Sequence, residues 1–170
     1  MKAAIVMGSK SDYPIVQKAE DILKDFGIEF EMRIISAHRT PGVAAEFAEN
    51  AEANGVEVII AAAGKAAHLA GVLAAGTPLP VIGVPIKSSA TGGLDSLLSM
   101  VQMPKGVPVA TVAIDGAENA ALLAVQILSV KYPELRDAMK GYKEKMEKEI
   151  IAADDDFQKN RQAERTASNA

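Results

Sequence analysis

Two kinds of segment alternate along this chain. Short runs such as residues 3–7 (AAIVM) and 56–64 (VEVIIAAAG) are apolar almost throughout, as in strands buried on both faces of a sheet. Longer segments between them carry apolar residues at helical spacing, as in the series Ile15, Ala19, Ile22, Leu23 and Phe26. The pattern therefore predicts strands and helices in strict alternation.

Five strands are predicted, at residues 3–7, 28–35, 56–64, 80–85 and 109–114. The helix after the first strand should begin near Pro14, with Ser11 or Asp12 as N-cap, and end at Gly27. The following connections carry helical patterns near residues 41–54, 66–75, 93–102 and 117–130. Five strands separated by helices indicate an α/β fold with a parallel, doubly wound sheet.

The C-terminal part has a pattern of its own. Beyond residue 133, one face of a final predicted helix carries the apolar series Leu135, Met139, Tyr142, Met146 and Ile150. The chain then turns polar. We predict a single domain over residues 1–152 and a polar, mobile tail over 153–170.

Composition narrows the function classes. The 170 residues suffice for one domain, and the net charge of -4 argues against a nucleic-acid surface. Without cysteine, disulfides and thiolate chemistry are excluded. No apolar run approaches the ~20 residues of a membrane span, and the opening residues lack a signal pattern, so we expect a cytoplasmic protein without membrane contact.

The candidate chemistry follows the first three strands. Residues 8–12 (GSKSD), 36–41 (SAHRTP) and 63–71 (AGKAAHLAG) should meet at one edge of the sheet, where open α/β sheets bind ligands. The chain's two histidines, His38 and His68, both lie in these loops. Imidazole exchanges protons near neutral pH, so two at one edge indicate acid-base chemistry.

The first two loops together suit an anion. Hydroxyls and free N–H groups at a helix start accommodate phosphate, and Arg39 supplies a planar cationic fork. Asp12 could accept hydrogen bonds from ribose hydroxyls. The alternative is that Ser11 and Asp12 merely cap a helix while Arg39 is solvated.

Several of these motifs also occur together in one enzyme family. The stretches MGSKSD, SAHRTP, AGKAAHLAG, LPVIGVP and GLDSLLSMVQMPKGVPVATVAI resemble class I N5-carboxyaminoimidazole ribonucleotide mutase, in order, over roughly residues 3–130. The resemblance implies a flavodoxin-like three-layer fold with strand order 2-1-3-4-5 and an additional C-terminal helix. It also implies a homo-octamer that uses no metal or organic cofactor and acts in purine (IMP) biosynthesis.

The resemblance also assigns roles. Its catalytic acid/base falls on His38, which would first protonate a carbamate nitrogen and later take a proton from the ring carbon that captures the carbon dioxide. Its phosphate and ribose contacts to substrate, a carboxylated aminoimidazole ribonucleotide, fall on Ser9, Ser11, Asp12, Ser36 and Arg39. We also expect substrate contacts from Ala37 and from a dry pocket that would hold carbon dioxide, formed by Gly64, Ala66, Ala67, His68 and Leu69.

Two residues depart from the family pattern. Lys65 stands where the family has glycine, which would strain the lysine backbone if the loop needs a positive φ. Ala70 stands where the family has proline.

Direct carboxylation of aminoimidazole ribonucleotide with carbon dioxide is the alternative activity. A response-regulator receiver would need an aspartate after the third strand, which here ends in AAAG. A flavin binder or nucleotide sensor would leave His38 without a task.

Overall fold

The computed structural model of the protein describes residues 1–168 as a parallel sheet with helices on both faces. The strands are β1 Lys2–Met7, β2 Glu29–Ile34, β3 Val58–Gly64, β4 Val81–Ile86 and β5 Ala110–Thr111. The helices are α1 Tyr13–Asp25, α2 Pro41–Asn50, α3 Leu69–Ala75, α4 Leu94–Val101, α5 Ala117–Leu128 and α6 Pro133–Ser168. The sheet order 2-1-3-4-5 confirms the predicted fold.

Each face of the sheet has its own apolar core. Because side chains alternate along a strand, Ala3, Ile5 and Met7 of β1 pack with α1, α5 and α6, whereas Ala4 and Val6 pack with α2 and α3. All five of these side chains are buried. The inner strands therefore read as continuous apolar runs, as the sequence pattern indicated.

The fifth strand is shorter than predicted: it comprises Ala110–Thr111 instead of residues 109–114. Pro85 of β4 accounts for part of this. Its carbonyl accepts a hydrogen bond of 2.8 Å from the N–H of Asp115, so the N–H that proline lacks would have faced β5. The ladder between β4 and β5 therefore stops early.

The third helix also differs from the prediction. It begins at Leu69, so residues 66–68 belong to the loop after β3 and His68 occupies the N-cap position. His68 is thus held at the junction of loop and helix.

The last helix is continuous to Ser168 and has 36 residues. Leu135 and Met139 are buried against the body, and the ring of Tyr142 lies 5.8 Å from that of Phe26. Met146 and Ile150 are exposed. Within the described residues, no helix is long and apolar enough to cross a membrane.

No break in structure marks the predicted tail boundary at residue 153. Residues 153–168 contain neither glycine nor proline and include several long polar side chains that favour helix, so α6 runs through them. The mobility of this segment stays a prediction, and residues 169–170 lie outside the described part.

Candidate active site

A cavity of about 600 Å³ opens at the carboxyl edge of the sheet, where the loops after β1, β2, β3 and β4 meet. The predicted site residues that line it are Ser9, Ser11, Asp12, Ser36, Ala37, His38, Arg39, Gly64, Ala66, His68 and Leu69. Ala67 does not line it: its side chain is fully buried in the core beside α2 and α3. The topology thus brings together nearly all the residues proposed from sequence.

The loop after β1 is held by its own side chains. Ser9 Oγ accepts hydrogen bonds from Ser11 N–H (3.3 Å) and Ser11 Oγ (2.9 Å), while Asp12 Oδ2 accepts one from Ser9 N–H (3.1 Å). This is a capping box around a 3₁₀ turn, Lys10–Asp12, which precedes α1. Asp12 occupies the N-cap position of α1, as predicted, but makes no side-chain capping hydrogen bond there, whereas Ser9 caps the preceding 3₁₀ turn.

Asp12 is a buried carboxylate within this loop. Burial raises the pKa of the Asp12 carboxyl, although the Ser9 N–H and the Ser11 hydroxyl oppose that effect by donating to it. Further donors, such as ligand hydroxyls, would stabilise its charged form.

Arg39 connects the first two loops. Its Nη2 donates to the carbonyl of Gly8 at 3.1 Å, and its Nε donates to Ser36 Oγ at 3.3 Å. Thr40 Oγ1 in turn accepts a hydrogen bond of 3.0 Å from Ser36 N–H. The guanidinium is therefore held beside Ser9 and Ser11 before any ligand binds, which suits a phosphate.

The two histidines are in direct contact. His38 Nε2 lies 2.8 Å from His68 Nδ1, and the ring planes are nearly perpendicular, with centroids 4.9 Å apart. One nitrogen must donate and the other accept, so a single proton is held between the two rings. Both side chains line the cavity and remain exposed to solvent.

The residues that depart from the family pattern have different consequences. Lys65 has a φ of +58°, so the glycine expected there does correspond to a left-handed backbone position, and lysine pays a strain of ~1 kcal/mol to occupy it. Ala70 is buried at the second position of α3, where helices accept either proline or alanine.

Sequence reasoning missed the fourth wall of the cavity. Ile86, Lys87, Ser88 and Ser89, at and after the end of β4, line it. The polar run KSS directly after an apolar strand was the signal that could have revealed this wall.

Asp95 at the start of α4 holds this fourth loop in place. Its two carboxylate oxygens lie 2.9 and 3.0 Å from Ser88 Oγ, which donates to them, and its N–H donates to Thr91 Oγ1 at 3.1 Å. The hydroxyls of Thr91 and Ser88 lower the pKa of the Asp95 carboxyl. Asp95 therefore stays ionised and keeps Ser88 at the cavity wall.

A metal site is a separate question. In the part of the chain that the structure describes, no three His, Cys, Asp or Glu side chains are grouped to hold an ion.

Comparison with known proteins finds similar sequences in one enzyme family. The profile described as AIR carboxylase matches residues 2–149. The N5-carboxyaminoimidazole ribonucleotide mutase of Pyrococcus abyssi is 62% identical over 147 residues, which cover 86% of this chain and 84% of the relative. The enzyme of the same name from Thermotoga maritima is 57% identical over 150 residues, 88% of each chain.

The fold has a counterpart among solved structures. The crystal structure of Treponema denticola PurE superposes with a TM-score of 0.81 at 34% identity, over 88% of this chain and 94% of that one.

Proposed function

The chain belongs to the AIR carboxylase family, and on this basis we propose that it converts N5-carboxyaminoimidazole ribonucleotide to 4-carboxy-5-aminoimidazole ribonucleotide, a step of purine biosynthesis. The observation that carries the proposal is the contact between His38 and His68 beside a built anion cradle. The cavity thus has a proton carrier at one wall and phosphate-binding groups at another.

The cradle would hold the ribose phosphate. Ser9, Ser11 and Arg39 supply hydroxyl and guanidinium donors to the phosphate, and Asp12 would accept from a ribose hydroxyl. Since the hydrogen bonds of Arg39 already fix its position, little side-chain entropy remains to be lost on binding. The aminoimidazole ring would then extend toward the histidines.

The reaction needs one proton to move twice. His38 donates a proton to the exocyclic nitrogen as the N–C bond of the carbamate breaks, and the bonding pair stays on nitrogen. Carbon dioxide leaves, and the ring carbon forms a C–C bond to it. His38 then removes the proton of that ring carbon, which restores the aromatic ring and the protonated imidazole.

His68 would keep His38 in its working orientation. A hydrogen bond of 2.8 Å fixes the ring of His38 and determines which nitrogen carries the proton.

The competing activity is direct carboxylation of aminoimidazole ribonucleotide. The experiment supplies each nucleotide in labelled bicarbonate and follows both the product and its label. For a mutase, N5-carboxyaminoimidazole ribonucleotide is consumed rapidly. The product then contains less label than it would if every turnover took up carbon dioxide from solution, because the released carbon dioxide is recaptured before it escapes. Label incorporated at the rate of turnover would contradict the mutase and support the carboxylase.

Self-association belongs to the same proposal. Leu94, Leu98 and Val101 lie on one face of α4 and are exposed by 53%, 48% and 48%, an unusual concentration of apolar surface for a monomer. We propose that such faces are covered in a homo-octamer, the assembly implied by the sequence resemblance. The expected cytoplasmic location is likewise a proposal, which cell fractionation would test.

A further inference from the structure

Lys65 is a cation at the cavity wall with no assigned task. It lines the cavity, it is exposed, and among the described side chains its ammonium has neither a hydrogen-bond partner nor an ion-pair partner. Arg39, by contrast, is already bound to Gly8 and Ser36. Lys65 is therefore free to meet a ligand.

The charge around the cavity is unbalanced. Its described lining includes three permanent cations, Arg39, Lys65 and Lys87, against one carboxylate, Asp12, which is engaged by the Ser9 N–H and the Ser11 hydroxyl. A cavity lined in this way favours a ligand with more than one negative charge.

The cations are also distributed along the sheet edge. Arg39 follows β2 and Lys65 follows β3, and β1 lies between these strands. The guanidinium of Arg39 reaches the Gly8 carbonyl at the end of β1, one strand spacing of about 5 Å from β3, whereas the exposed side chain of Lys65 has no partner in the described part of the protein. The two cations can therefore pair with two different anionic groups of one ligand.

We propose that Lys65 is a specificity-determining residue that pairs with the carboxylate of the substrate and product. The inference rests on the proposed function, because it identifies the second anion as the carboxylate that the enzyme moves. Lys65 is absent from the residues that the family resemblance assigns to substrate. Its charge would therefore make this enzyme prefer the carboxylated nucleotide to aminoimidazole ribonucleotide more strongly than an enzyme with glycine at this position.

The test compares two ligands that differ only in the carboxylate. Titration calorimetry measures the affinity of the whole enzyme for 4-carboxy-5-aminoimidazole ribonucleotide and for aminoimidazole ribonucleotide. The variants are Lys65→Asn and Lys65→Gly, since both residues tolerate a φ of +58°. Lys65→Arg retains the charge. Lys10→Asn is the matched control, because Lys10 is exposed on the neighbouring loop but does not line the cavity.

We expect Lys65→Asn and Lys65→Gly to weaken binding of the carboxylated nucleotide about fivefold and to leave the other nucleotide within about twofold. Lys65→Arg should restore most of the preference, and added salt should reduce it in the wild type. Lys10→Asn should leave the preference unchanged.

Other results separate the two proposals. An unchanged preference in both neutral variants overturns the role of Lys65 while leaving the mutase proposal intact. Equal losses for both nucleotides would assign Lys65 to the phosphate, which also overturns the inference. If the wild type binds neither nucleotide, both proposals are wrong.

Discussion

His38 Nε2 and His68 Nδ1 lie 2.8 Å apart, although their residues are 30 positions apart in sequence and follow different strands. The planes of the two rings are 82° apart, and the two nitrogens face each other within hydrogen-bond distance. A proton can therefore be held between the rings and delivered from either side of this contact.

Replacing His38 with asparagine should separate binding from turnover. Asparagine keeps a planar polar side chain but cannot exchange a proton, so we expect at least the ~10²-fold fall in kcat that the loss of general acid-base catalysis causes. Nucleotide affinity, measured by calorimetry, should change less than about threefold. Near-normal turnover in His38→Asn would remove this residue from the mechanism.

The role of His68 calls for a different pair of variants. His68→Phe retains a flat ring but loses the hydrogen bond to His38, so kcat should fall and its pH profile should change shape. His68→Gln can still donate or accept and should recover part of the activity. Unaltered pH profiles in both variants would mean that His68 only fills space.

Arg39 should contribute mainly to affinity. Arg39→Leu removes a charged donor that the bonds to Gly8 and Ser36 hold in place, and we expect about tenfold weaker nucleotide binding. The effect should diminish for an analogue without the phosphate. Lys10→Gln on the neighbouring turn serves as the charge-matched control. Equal affinity in wild type and Arg39→Leu would locate the phosphate elsewhere.

Glu57 should make stability depend on pH. Burial alone would raise the pKa of Glu57, but hydrogen bonds from Lys131 (2.7 Å) and Tyr132 (2.9 Å) outweigh it and hold the pKa below the ordinary value of 4.5. The folded state therefore gains stability from Glu57 above pH 4.5. This gain is lost as the pH falls through the lower pKa that Glu57 has in the folded state.

Glu57→Gln should accordingly cost about 1 kcal/mol at pH 7, a fall of about 2–4 °C in Tm, and much less near pH 3. Thermal melting between pH 3 and 7 measures this difference. Glu52→Gln, at an exposed position nearby, is the control. A penalty for Glu57→Gln that stays constant across this range would show that the charge of Glu57 is not involved.

Leu98→Asp tests the proposed assembly. A carboxylate on the exposed face of α4 should dissociate the octamer, as seen by light scattering, while the far-UV circular dichroism of the subunit is retained. Val130→Asp is the control, because Val130 is 80% exposed and stands apart from that face. A wild-type protein that is monomeric at micromolar concentration would contradict the proposal directly.

The sequence predicted the sheet well because its signals are local and strong. Buried strands such as β3 read as unbroken apolar runs, and their order was available from the family resemblance. The mutase activity, also inferred from that resemblance, is confirmed by the relatives. The shortening of β5 was missed because it depends on which side of β4 the missing N–H of Pro85 faces, a tertiary relationship.

The candidate site was predictable in its members but not in its contacts. Loops that follow adjacent parallel strands must meet, so residues near 9, 38 and 68 could be grouped from the sequence. The direct contact between the histidines could not, because it depends on where α3 begins. Ala67 differs from its neighbours, which line the cavity, because its own side chain is buried in the core. Its contact with substrate stays a prediction.

The early stop of β5 has a consequence for solubility. An edge strand of two residues offers few unpaired backbone groups to another sheet, so this edge is a poor template for strand addition. The opposite edge, β2, is six residues long and carries the charged residues Glu29, Glu31 and Arg33. One edge is thus protected by its brevity and the other by its charge, which should keep folded subunits from pairing through their sheet edges.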